Sequence, residues 1–108
     1  MSQIVTILAA DVITATGQSG AFNVGENPSI DVEVEVTAAS GTTPSCQFSV
    51  LWSDDGTHWG AEPDDVGSAF TAVGNAIATI PVRGALFALA YAVSGTTPSF
   101  TVNAQAYV

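Results

Sequence analysis

A chain of 108 residues is long enough for one domain with a single core and too short for two. Ten Asp and Glu stand against one Arg and no Lys, a formal charge of −9. That balance excludes an electrostatic grip on nucleic acid and disfavours an anionic membrane surface, while the lone cysteine, Cys46, excludes an internal disulfide.

Residues 1–10 are expected to form an N-terminal strand or extended arm, and residues 11–108 a β-sandwich domain. Gln3 to Ala10 is rich in β-branched residues. No basic residue precedes its apolar part, so it is a poor signal peptide, and Met1 agrees with a product that folds in the cytoplasm. No apolar run approaches the ~20 residues of a membrane-spanning helix. Asp11 to Thr16 reads as a second strand, or as the first continued past a bulge. Gly17, Gly20 and Gly25 then break the chain around a short apolar piece, Ala21 to Val24, and Asn27-Pro28 marks a turn.

Ile30 to Thr37 alternates strictly. Ile30, Val32, Val34 and Val36 are expected inward, and Asp31, Glu33, Glu35 and Thr37 outward, on a face that is wet or meets a partner. Cys46 to Ser53 alternates again, with Cys46, Phe48, Val50 and Trp52 inward. Gly41 and Pro44 punctuate the link between them, which reads as a loop. Asp54 to Thr57 makes a tight turn in which Gly56 takes positive φ. Gly60 to Gly67 reads as an exposed acidic loop containing Glu62, Pro63, Asp64 and Asp65.

Ala69 to Val73 and Ala76 to Val82 read as short strands around Gly74-Asn75, with Pro81 suited to a sheet edge. In Leu86 to Val93 both faces are apolar: Phe87, Leu89, Tyr91 and Val93 on one, Leu86, Ala88, Ala90 and Ala92 on the other. That strand is expected to be covered twice. Phe100 to Val108 places Phe100, Val102, Ala104, Ala106 and Val108 inward. About eight strands with regular turns and no helical period predict an all-β protein, a single antiparallel β-sandwich of jelly-roll or immunoglobulin-like type.

Ser40 to Ser45 reads Ser-Gly-Thr-Thr-Pro-Ser, and Ser94 to Ser99 repeats it. The repeat predicts two matching hairpins at equivalent positions in two packed sheets, without implying duplication of the whole domain.

The chemistry-bearing residues are few. Cys46 is predicted to be a core residue rather than a nucleophile, because the one histidine, His58, lies in the next turn. Ser53-Asp54-Asp55-Gly56-Thr57-His58-Trp59 matches the S-x-D-G-x-x-W pattern of Asp-box hairpins, whose physical content is a turn. Asp54, Asp55, Glu62, Asp64 and Asp65 offer oxygens to a calcium ion, but no EF-hand spacing is present and solvated loop acids are the reading adopted. No catalytic set, cofactor site or metal site is predicted. Tyr107 is the aromatic expected to be exposed, and Trp52 belongs to the core.

Ala15 to Gly20, Val36 to Pro44, Trp52 to Trp59, Ala69-Phe70-Thr71 and Val93 to Phe100, in this order and spacing, resemble segments of small virion proteins of tailed bacteriophages, especially those of actinobacterial hosts. The resemblance implies a non-enzymatic β-sandwich: a capsid decoration (minor capsid) protein on the outer surface of the head, with the major capsid protein and other copies of itself as partners. A tail or fibre component and a carbohydrate-binding adhesion module are the alternatives. Under the decoration reading, Gln3, Ile4, Val5, Thr6, Ile7 and Leu8 would lie on the shell as an added strand. Leu86, Ala88, Ala90 and Ala92 would pack against a neighbouring subunit.

Overall fold

In the computed structural model, residues 3–24, 26, 28–60 and 64–108 are described. They form seven strands and no helix: β1 (Ile4–Ile13), β2 (Gly17–Gln18), β3 (Phe22–Asn23), β4 (Ser29–Ser53), β5 (Asp64–Asp65), β6 (Gly74–Pro81) and β7 (Leu86–Tyr107). All pairings are antiparallel.

Two long strands carry the architecture. The 25 residues of β4 would span roughly 80 Å if straight, yet the longest dimension of the molecule is 41 Å. The strand therefore turns a corner and serves two layers, and β7, with 22 residues, does the same beside it. In the first layer the order is β1, the second half of β7, the first half of β4, then β6. In the second layer, β2 and β3 flank the first half of β7, and β5 flanks the second half of β4.

The core lies between these layers. Ile30, Val32, Val34, Val36, Phe100 and Val102 from the first layer meet Cys46, Phe48, Val50, Trp52, Phe87 and Leu89 from the second, all buried. Alternation explains the result, since a period of two gives each strand one apolar face that must be hidden. The Phe48 ring sits edge-on to Phe70 at 5.7 Å and to Tyr91 at 6.4 Å between centroids.

The corner is where the hexapeptides lie, and they are not hairpin loops. Each is part of an unbroken strand, and the two pair with each other: Ser40 with Ser99, Thr42 with Thr96, Ser45 with Ser94. Two identical segments paired antiparallel are related by a local twofold axis. The relation extends outward, because β6 flanks the first half of β4 as β2 and β3 flank the first half of β7. Likewise β5 flanks the second half of β4 as β1 flanks the second half of β7. Thr43 and Thr97 both have φ of 47°, and Gly41 and Gly95 have φ of 113° and 116°. The hexapeptide corner and the order of the strands around it thus follow one local twofold, although the flanking strands differ in length.

Ile4 to Ile13 is the first strand continued past a bulge before Asp11, one of the two arrangements expected, with Ala10 at φ of 51°. Other boundaries shift. Ala69 to Val73 is not a strand; its backbone pairs with the sheet at an isolated bridge from Phe70 to Cys46. Gly74 and Asn75 begin β6 rather than turning the chain, and Pro81 does occupy an edge strand, opposite Ser29. Asp64 and Asp65 are paired with Val50 and Ser49. Ser2, Gly25, Asn27, Glu62 and Pro63, which entered the arm, turn and loop expectations, lie outside the described residues.

Candidate functional site

The sandwich has two unlike outer faces and one structured end. The end is built on the Ser53 to Trp59 turn. Ser53 Oγ accepts from the Gly56 amide at 2.9 Å and donates to the His58 carbonyl at 2.6 Å. Asp55 Oδ1 accepts from the amides of Thr57 and His58, each at 2.8 Å, and its Oδ2 lies 2.7 Å from His58 Nδ1. The His58 amide, then the His58 ring and the Thr57 amide, hold the Asp55 carboxyl well below the usual carboxylate range. Gly56 takes φ of 80°, as the turn requires. Asp54 reaches across to accept from the Ala85 amide at 3.1 Å, tying the turn to the start of β7.

Beside this turn is a cluster that sequence reading missed. Asp64 Oδ2 accepts both from the buried Trp52 indole at 2.8 Å and from Arg83 Nε at 3.0 Å. Trp52, Asp64 and Arg83 are 12 and 19 residues apart in the chain, so no spacing in the sequence points to the cluster. Trp52, Asp54, His58, Trp59, Arg83 and Gly84 line an open cleft of about 510 Å³ here. Of the acids considered for calcium, Asp54 is bound to Ala85, Asp55 within its turn, and Asp64 to Trp52 and Arg83. Among the described residues no group of three His, Cys, Asp or Glu is placed to hold a metal ion.

Cys46 is fully buried in the core, and burial pushes its thiol up to about 11. His58 is at the exposed turn on Asp55, so the two share no site. The hydrogen bonds described at this end shape the turn and tie it to β5 and β7.

Its fold is shared with a viral chain. A chain from the structure of infectious bursal disease virus, Gx strain, superposes with a TM-score of 0.62 over 99% of this chain at 10% identity. This chain spans 31% of that chain's length. The SPBc2 prophage-derived protein YomS superposes with a TM-score of 0.53 at 16% identity, over 100% of this chain and 94% of YomS. At these identities the likeness is one of fold. No family model matches the chain, and no curated protein matches it in sequence.

The residues expected at interfaces divide sharply. Gln3 is joined to Val108 by two backbone hydrogen bonds, and Ile4 and Thr6 are exposed in β1. Val5 is half-buried, and Ile7 and Leu8 belong to the core. This segment is an integral edge of the first layer, so Ile7 and Leu8 are committed to the domain interior. On the outer face of the second layer Ala88 is buried, Leu86 and Ala90 are half-buried, and Ala92 is exposed. The outer face of the first layer presents Asp31, Glu35, Thr37 and Tyr107 to solvent, as alternation predicted, with Glu33 half-buried among them.

Proposed function

We propose that the chain is a non-enzymatic structural protein of a phage particle, a capsid decoration protein bound to the outer surface of the head. The observation that carries this reading is the fold, common over nearly the full length to a prophage-derived protein of similar size and to a chain of a virus structure. The absence of a nucleophile–base pair in the sequence and the acidic, Lys-free surface support it, since such a surface stays soluble beside packaged DNA without adhering to it. A decoration protein stabilises a shell by mass action, because many copies bind the finished lattice better than its precursor. The major capsid protein is the proposed partner, with further copies of the chain as neighbours around it on the shell.

Quantitative mass spectrometry of purified particles together with cryo-EM tests the reading. Decoration predicts a copy number near that of the major shell protein and density on the outer head. A few copies at the tail would make the chain a tail component, and absence from the particle would overturn a virion role.

A further inference from the structure

The outer face of the first layer is chemically unlike the rest of the surface. Its strand register sets side chains in rungs. Ile4, Tyr107, Asp31 and Thr79 form one, Thr6, Gln105, Glu33 and Ile77 the next, and Asn103, Glu35 and Asn75 a third. Ile4 is 60% exposed, Ile77 64% and Tyr107 39%, so three large apolar side chains share a sheet face with three carboxylates. A shallow groove of about 260 Å³ runs between Thr6, Ala9, Glu33, Glu35 and Gln105.

No Lys, Arg or His occurs in β1, β6 or the halves of β4 and β7 that form this layer. The one cation of the chain, Arg83, is held by Asp64 at the end of the sandwich. Face to face with a second copy, acids would therefore meet acids, which is costly at an interface. Phosphate-bearing surfaces fail for the same reason. Lys and Arg side chains fit on both counts, since their aliphatic stems lie along exposed apolar groups while their charged heads reach carboxylates, and an Arg also stacks on a Tyr ring.

We propose that the outer face of β1, β7, β4 and β6 is the docking surface of this protein, and that its occupant is a protein surface bearing Lys and Arg. This rests on the decoration reading and names the face that binds the shell. The test uses phage particles assembled from a genome lacking this gene, titrated with purified chain at rising salt. Wild-type chain is compared with the near-isosteric triple variant Asp31→Asn, Glu33→Gln, Glu35→Gln, with Ile77→Ser, and with Ala92→Gln on the opposite layer. Circular dichroism and melting confirm that each variant folds.

The expected result is wild-type binding that weakens with salt, a loss of about ten-fold or more in the triple variant, a smaller loss for Ile77→Ser, and unchanged binding for Ala92→Gln. Wild-type binding that the triple variant retains, or that only Ala92→Gln loses, overturns this face while leaving decoration standing. Failure of the wild-type chain to bind overturns both readings. If sedimentation shows a dimer of the free chain that the triple variant abolishes, the occupant is a second copy and the proposal is wrong.

Discussion

Gly41 and Gly95 face each other's repeat across the local twofold axis. A Cβ on Gly41 would lie 2.7 Å from the Thr97 carbonyl oxygen, and one on Gly95 would lie 2.8 Å from that of Thr43. Both contacts are with backbone, which cannot swing aside, and both glycines have φ that L side chains rarely adopt. Gly41→Ala and Gly95→Ala should each destabilise by about 1–3 kcal/mol. Because the two changes strain one crossing, the double variant should cost measurably less or more than their sum. Urea unfolding of the two single variants and the double checks this. Equal stability of Gly41→Ala and wild type would contradict the close approach.

Asp64 joins the buried Trp52 indole to Arg83. Asp64→Ala leaves the indole N–H without a partner inside the protein and should cost about 1–3 kcal/mol. Arg83→Ala removes only a half-exposed ion pair, for which about 0–1 kcal/mol is expected. Urea unfolding should rank the two in that order, with a shifted Trp emission for Asp64→Ala alone.

The Asp55 carboxyl is depressed in the folded state by amide donors and the His58 ring. A depressed pKa means that the unfolded chain binds the proton more readily. The stabilisation is therefore complete above the unfolded value, about 4, and is lost as pH falls toward the lower folded value. Melting temperature measured between about pH 2 and 7 should fall less steeply at the acid end in Asp55→Ala than in wild type. Parallel curves would show that the turn bonds do not couple to folding.

Burial raises the Cys46 thiol from 9.0 to about 11. A raised pKa leaves its contribution to stability intact below the unfolded value and erodes it as pH climbs toward the folded one. At pH near 8, labelling by a maleimide should proceed only as fast as the domain opens, and urea should accelerate it in step with unfolding. Rapid labelling of the native protein would contradict the buried position.

Deleting residues 1–9 should unfold or strongly destabilise the domain rather than remove a dispensable arm. The cut takes away the pairing of Ile4, Val5, Thr6 and Leu8 with β7 and the core side chains Ile7 and Leu8. Loss of cooperative melting is the expected outcome. A truncated chain with wild-type melting would make the segment an arm after all.

Much of this fold is legible along the chain, and the reason is local. Val32, Val34 and Val36 are fully buried beside exposed Asp31 and Glu35 because a strand has only two faces, so alternation names the inner one. Phe100, Val102 and Ala106 follow the same rule. The turn at Asp54 to Thr57 is readable for a similar reason, since Asp and Gly encode a backbone conformation over four residues. The repeat misled on one point. Gly and Pro usually end strands, yet around Thr43 and Thr97 they let two strands bend while staying paired, because each copy supplies the other's hydrogen-bonding partner. The Trp52–Asp64–Arg83 cluster was illegible because its members are brought together by sheet pairing, not by spacing.

By itself the sequence determined that this protein is all-β, which face most of its strands bury, and that it carries a formal charge of −9. Those properties depend on period, composition and charge, which are local or additive quantities. Only the tertiary structure decided that one hexapeptide pairs with its copy, that two strands serve both layers, and that Ile4 to Ile13 is one strand at the edge of the sheet. These are long-range pairings, and a strand's pattern says which face it hides without naming the strand beside it.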